Sequence, residues 1–324
     1  MKRVAIFVLS YRAISYLKEG SLVSIEKAAR KIRGAEAHVV YLDNYSQDGS
    51  VQWAMENHPD IDVLMSRKNY LYCKGTNVGI QYCQERYKPD YFILVDADNF
   101  AEPNAYDELV RFAEKHPDMG MVQPLVKSYN DHSILYSCGH RFLEDGRCEP
   151  MQQLPDDPSE LFDLPSCSIS STLIRTEVFA TCGLLDPIYE MYFESSALSF
   201  RARQAGFRCG CHIDAVTYNE GTDGAGIDRF HSRYYFNRNR LIFWKLHDEE
   251  RFLQVRKHQI EIYRELQAEF EQSKFGLDVE REAVRLGIEA GLRITEDPDL
   301  HSRPPINLND FDKSAVVVIQ SAGR

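Results

Sequence analysis

Residues 1–115 of this chain alternate short apolar runs with segments of helical spacing, and few folds accommodate that order. Residues 4–9, 37–42, 61–65 and 91–95 read as strands, rich in β-branched and aromatic side chains and free of polar alternation. Such strands are covered on both faces, as in parallel sheets. Residues 21–31, 50–57, 76–87 and 105–115 carry apolar side chains at helical intervals, for example Leu22, Ile25, Ala28 and Ala29. Strand and helix in this order predict an α/β fold, a Rossmann-like, mostly parallel central sheet flanked by helices.

The polar stretches fall where such a sheet would gather them. LSYR (9–12), DNYSQDGS (43–50), NYLYCKGTNVG (69–79) and DADN (96–99) each lie at the carboxyl end of a strand, and in a parallel sheet these ends converge on one cleft. Asp96 and Asp98, one residue apart after a buried run, suit a divalent cation held by hard oxygens; a polar turn or helix cap explains either residue singly.

The bulk numbers limit the partners. With 38 Lys and Arg against 49 Asp and Glu, the net charge of −11 leaves no cationic excess for a general nucleic-acid binder. Eight cysteines form no C-x-x-C pair, and the lone C-x-C at Cys209 and Cys211 has no second half, so reduced thiols and a cytoplasmic protein are expected rather than zinc. The apolar stretch behind Lys2 and Arg3 stops after Leu9, which suits a first strand and not a leader. No run approaches the roughly 20 apolar residues of a membrane span, so any membrane contact is peripheral, at the inner face.

Further along, residues 120–126, 134–142 and 170–174 read as strands and 175–181 and 195–204 as helices, with a polar, Pro-containing loop over 144–164. From Ser232 the pattern is helical, notably over 250–272 and 279–292, and SAVVVIQS near the end reads as a strand that could pair with its own sheet or with a partner's. The expected division is a domain over 1–240 and a C-terminal helical extension with a tail over 241–324.

These motifs, in this order, resemble the family 2 glycosyltransferases of GT-A fold, most closely the subgroup of bacterial surface-polysaccharide enzymes that includes rhamnosyltransferases. DNYSQDGS is similar to the family's D-N-x-S-x-D-G-S loop. NYLYCKGTNVG resembles its N-x-G-x-x-x-G-x-N-x-G stretch, with Leu71 in place of the first glycine. GLLDPIYEMYFESSALSFRARQAGF (183–207) resembles the segment that ends E-D-V-D-L-x-x-R-x-x-x-A-G, and YYFNRNRLIF (234–243) resembles Y-Y-x-x-R-N-R-L.

The resemblance implies an inverting transfer from a UDP- or dTDP-sugar to the hydroxyl of a saccharide, lipid-linked or small-molecule acceptor. It places Asp43 on the base N3–H with Ser10 and Tyr11 framing the ring, and Lys74 and Asn77 beside the nucleoside. Asp96 would serve the ribose, Asp96 and Asp98 a Mg²⁺ or Mn²⁺ on the diphosphate, and Arg238 and Arg240 the diphosphate itself. A homodimer is compatible with it.

Two departures concern the chemistry. The family's E-D pair reads Glu194–Ser195, and the later Asp is Ala197. Glu194 is then the candidate base, Ser195 a replacement for an acid, or the acceptor needs little activation. A metal-binding His of many relatives is replaced by Asn219, leaving Glu220, His231 or water to complete the shell, while His212 is expected to be structural. The alternatives are an impaired nucleotide-sugar-binding homologue and a sugar nucleotidyltransferase. The latter lacks its Gly-rich loop here.

Overall fold

A computed structural model describes residues 1–219, 229–273 and 276–322. The chain runs β1 (Lys2–Ser10), α1 (Ile14–Glu19), α2 (Ser21–Ala29), β2 (Ala35–Asp43), α3 (Ser50–Asn57), β3 (Asp62–Ser66), α4 (Leu71–Tyr87) and β4 (Tyr91–Asp96). It continues through β5 (Phe100–Ala101), α5 (Ala105–Lys115), β6 (Met119–Ser128), β7 (Leu135–Ser137), β8 (His140–Phe142), β9 (Cys148–Pro150), β10 (Thr172–Arg175), α6 (Thr176–Cys182), α7 (Glu194–Gln204) and β11 (Arg208–Asn219). Three helices follow, α8 (Arg229–His247), α9 (Glu249–Gln272) and α10 (Val279–Thr295), and then β12 (Val316–Gln320).

Strands β3, β2, β1 and β4 pair in parallel, as their uninterrupted apolar runs predict, and β6 pairs in parallel with β11. Strand β10 lies antiparallel between β4 and β6. It follows a tight turn at Ser171 (φ 59°) and not a crossover helix, which only a parallel entry would need. Apolar clusters fill both faces of the sheet, one under α4, α7 and α8 and one under α2 and α5.

Residues 134–142, expected as one strand, form two. Gly139, at φ 145°, turns the chain out of the main sheet, so that β7 pairs with β6 while β8 pairs with β9. The expected loop over 144–164 contains β9 and a 3₁₀ turn, Pro158–Phe162. Helix α4 begins five residues before the expected start, at Leu71.

The C-terminal segment returns to the body of the protein. Strand β12 pairs antiparallel with β3, on the protein's own sheet. Helix α10 lies tight against α8: a Cβ at Gly287 would stand 2.4 Å from the Tyr234 carbonyl oxygen, so a side chain there would force the helices apart. Among the described residues no helix is long and apolar enough to cross a membrane, and all eight cysteines are unpaired.

Candidate active site

The ends of β1 and β2 lie side by side, with Ser10 in register with Asp43. Asp43 is 1% exposed; its Oδ1 accepts the Ser46 amide at 2.8 Å and its Oδ2 has no protein partner. Burial raises its pKa above the ordinary carboxylate value, against the Ser46 hydrogen bonds. Ser10 is equally buried, with an unpartnered hydroxyl, and Tyr11 turns outward beneath the Arg12 guanidinium. Unsatisfied buried oxygens beside an exposed ring suit a planar base with an N–H to donate.

Asn44 fastens this loop to the next. Its amide nitrogen Nδ2 donates to Asn69 Oδ1 (3.2 Å) and the Leu71 carbonyl (3.0 Å), and its Oδ1 accepts the Tyr70 N–H. Leu71 holds φ 57°, a left-handed conformation that explains why glycine is expected at this position. Lys74 is exposed on α4. Asn77, expected at the nucleoside, is instead buried with its amide paired both ways to the Leu185 main chain, at 2.8 and 3.0 Å.

A cavity of about 370 Å³ opens at the end of β4, and Asp96, Asp98, Glu194, Ser195 and Asn219 all line it. The Tyr72 hydroxyl donates to Asp96 at 2.9 Å, and burial raises the Asp96 pKa. Asp98 accepts the Asn99 amide at 3.3 Å. Glu194, the first residue of α7, is 7% exposed and its Oε2 has no partner. Burial, with the charge of Asp96 adding to it, pushes the Glu194 pKa up to about 7. Ser195 also faces the cavity, whereas Ala197 is 1% exposed and packs into the core, where a carboxylate would be stranded.

Glu194 is aimed by a strained turn. Glu190, Tyr192 and Phe193 hold φ of 60°, 65° and 67°, each costing about 1–3 kcal/mol and persisting only where the surroundings enforce it. Asn239 on α8 supplies the enforcement. Its Nδ2 is shared among the carbonyls of Tyr189, Met191 and Tyr192 at 2.8, 2.7 and 2.9 Å, while its Oδ1 accepts Arg238 Nη1 at 2.7 Å.

Arg238 and Arg240, expected at a diphosphate, lie in the helical packing. Arg238 is committed to Asn239, and Arg240, 5% exposed, donates to Asn237 Oδ1 with its pKa pushed down to about 10 by burial. The two stand on different sides of α8, being two residues apart. Neither lines the cavity. Asn239, between them in the same R-N-R motif, is uncharged, and nothing in the sequence marks the buried contacts of its amide.

Among the described residues no three His, Cys, Asp or Glu side chains gather as a metal site. Asp96, Asp98 and Asn219, all with oxygen-bearing side chains, nonetheless line one cavity. Mg²⁺ or Mn²⁺ ordinarily takes one or two carboxylates and completes its shell with substrate phosphates and water, so this donor set fits such an ion. Glu220 lies outside the described residues, and His231 sits in the first turn of α8. His212 stacks on Phe112 with Nε2 3.7 Å from Glu108, a structural place as expected.

A family model described as "Glycosyltransferase like family 2" matches residues 2–237. The chain is 23% identical over 238 residues, 72% of its length and 74% of the relative's, to the low-salt glycan biosynthesis hexosyltransferase Agl10 of Haloferax volcanii. Among solved structures, TarS of S. aureus superposes with a TM-score of 0.54 at 16% identity over 85% of this chain, which spans 44% of that longer protein. TarS 1–349 in complex with UDP-GlcNAc gives 0.54 at 14% identity, covering 90% of this chain and 92% of that one. A mannosyltransferase from Pyrobaculum calidifontis, in complex with GDP-Man and Mn²⁺, gives 0.51 at 15% identity, covering 90% and 73%. At these identities the structural likeness establishes the GT-A fold.

Proposed function

Since the chain belongs to glycosyltransferase family 2 and carries its GT-A fold, we propose that it transfers a sugar, with inversion, from a UDP- or dTDP-sugar to an acceptor hydroxyl in glycan biosynthesis. The observation that carries this reading is the single cavity onto which Asp96, Asp98 and Glu194 converge, Glu194 with an unpaired buried oxygen.

Asp43 Oδ2 would accept the N3–H of the base, and Ser10 and Tyr11 would frame its ring. Asp96 and Asp98 would hold Mg²⁺ or Mn²⁺, which when bound offsets charge on the diphosphate. The acceptor oxygen attacks the anomeric carbon from the face opposite the diphosphate, and the bond from that carbon to the phosphate oxygen breaks. The acceptor's proton passes to Glu194, and the nucleoside diphosphate departs. A buried carboxylate with a pKa near 7 is a stronger base than an exposed one and is ionised in part at neutral pH. Work at the cytoplasmic side, peripheral membrane contact and homodimerisation belong to this proposal as further expectations, as does the separation of a catalytic domain over 1–240 from the helical region over 241–324.

Calorimetric titration with UDP, dTDP, GDP and ADP, each with and without Mn²⁺, tests the reading. Uridine or thymidine diphosphate is expected to bind in a Mn²⁺-dependent way, and Asp98→Ala to weaken that binding by about tenfold or more, the loss of one charge-assisted ligand. Failure of all four to bind would remove the nucleotide-sugar assignment.

A further inference from the structure

The cavity beside Glu194 has an aromatic wall that the donor chemistry leaves unused. Tyr192 and Phe236 line it as a stacked pair, ring centroids 4.2 Å apart and 24° from parallel. Phe193 meets Phe236 edge-on at 6.5 Å and holds the pair in place. Phe236 is 37% exposed, so part of its ring surface is open to a ligand in a cavity that Val126, Pro150 and Phe193 also line.

Within the same cavity, His140 has a buried Nδ1 with no protein partner, as Glu194 has a buried Oε2. Two unsatisfied polar atoms in the walls of one cavity are accounted for when a ligand with several hydroxyls completes them. Burial keeps the His140 imidazole neutral, its pKa pushed down to about 4, so it can offer both a donor and an acceptor at neutral pH.

The charge of the lining limits that ligand. Its acidic and basic side chains are Asp96, Asp98, Glu194 and His140, and among the described residues no lysine or arginine lines the cavity. Residues 220–228, which follow Asn219 directly, contain neither in sequence. Phosphate and carboxylate groups are ordinarily received by Arg or Lys. The donor's diphosphate would be met instead by the cation at Asp96 and Asp98, whereas a second anionic group beside Glu194 would have no counter-charge and would be repelled. The C–H face of a sugar ring, by contrast, is apolar and slightly positive and suits the negative face of an aromatic ring.

Resting on the glycosyltransferase reading above, we infer that the Tyr192–Phe236 wall and His140 form the acceptor subsite, and that it takes an uncharged sugar ring rather than a phosphate- or carboxylate-bearing acceptor. The ring lies on Phe236 and Tyr192, one hydroxyl reaches His140, and another is left at Glu194.

Saturation-transfer NMR on the intact chain with UDP and Mn²⁺ tests this, using methyl hexopyranosides and uncharged disaccharides against glucose 6-phosphate and glucuronic acid. Uncharged sugars are expected to bind, most closely through one C–H face, with the charged pair at least tenfold weaker. Phe236→Ala should weaken the sugar about tenfold and leave UDP binding intact, which also certifies its fold, and Phe236→Tyr should restore it. Equal or tighter binding of the charged pair overturns the inference, as does undiminished sugar binding by Phe236→Ala. Silence from every sugar while UDP binds with Mn²⁺ overturns the subsite alone; failure of UDP as well takes the underlying function with it.

Discussion

Replacing Glu194 by Gln should lower turnover by about 10²–10⁴-fold and, at the same time, make the protein harder to unfold at neutral pH. The first effect follows from removal of the carboxylate that would take the acceptor's proton. The second follows from burial. Glu194 is raised from 4.5 to about 7 on folding, so the folded chain holds this proton more tightly than the unfolded one. The associated stability is fully present below about pH 4.5 and is lost as pH rises through about 7. Gln is neutral throughout and avoids that loss, so the variant gains up to roughly 3 kcal/mol over the native protein at pH 8 and nothing at pH 4. Initial rates of nucleoside diphosphate release and thermal melts at both pH values measure the two effects. A variant that keeps its rate within tenfold would remove Glu194 from the chemistry. In the native protein the rate should climb with one proton's slope through pH 7 or somewhat below it, since a cation between Asp96 and Asp98 would lower the pKa that Asp96 helps to raise.

Asn239→Ala should be nearly as damaging without touching substrate. It leaves the carbonyls of Tyr189, Met191 and Tyr192 without their shared donor and releases three left-handed residues, Glu190, Tyr192 and Phe193, that this donor helps to hold. The expected cost is about 3 kcal/mol of stability and about 100-fold in turnover, because an ångström of displacement at a reacting group has effects of that size. Donor binding at Asp43 should be unchanged. A loosened turn also admits water to Glu194, so the rising limb of the pH–rate profile should move to lower pH; loss of packing alone would not move it. An unshifted limb would mean that Asn239 stabilises the turn but does not set the environment of the base.

Most of the sheet was legible in the chain. Residues 4–9, 37–42 and 91–95 are apolar without alternation and appear as β1, β2 and β4, parallel and adjacent. Helices Ser50–Asn57 and Ala105–Lys115 begin and end where their spacing predicts. The misses share one cause. Residues 134–142 look like one strand because side-chain pattern does not reveal the turn at Gly139, and Leu71 joins α4 in a conformation that its residue type disfavours.

In the site, local identity and position separate the same way. Asp96, Asp98 and Glu194 were named from their motifs and share one cavity. Arg238, Arg240 and Asn77 were named from theirs and turn elsewhere, because a motif gives residue type and spacing but not which side of a buried helix meets the cleft. Residue type, apolar period and the carboxylates at strand ends are local properties, and they determined the strands and helices of the first half, its mostly parallel pairing and the gathering of polar loops at one edge. Side-chain direction, desolvation and unsatisfied hydrogen bonds depend on what lies across a gap. Only the tertiary structure could therefore decide that Glu194 is buried with its pKa raised to about 7, that Asn239 braces the turn before it, and that an aromatic wall stands beside it.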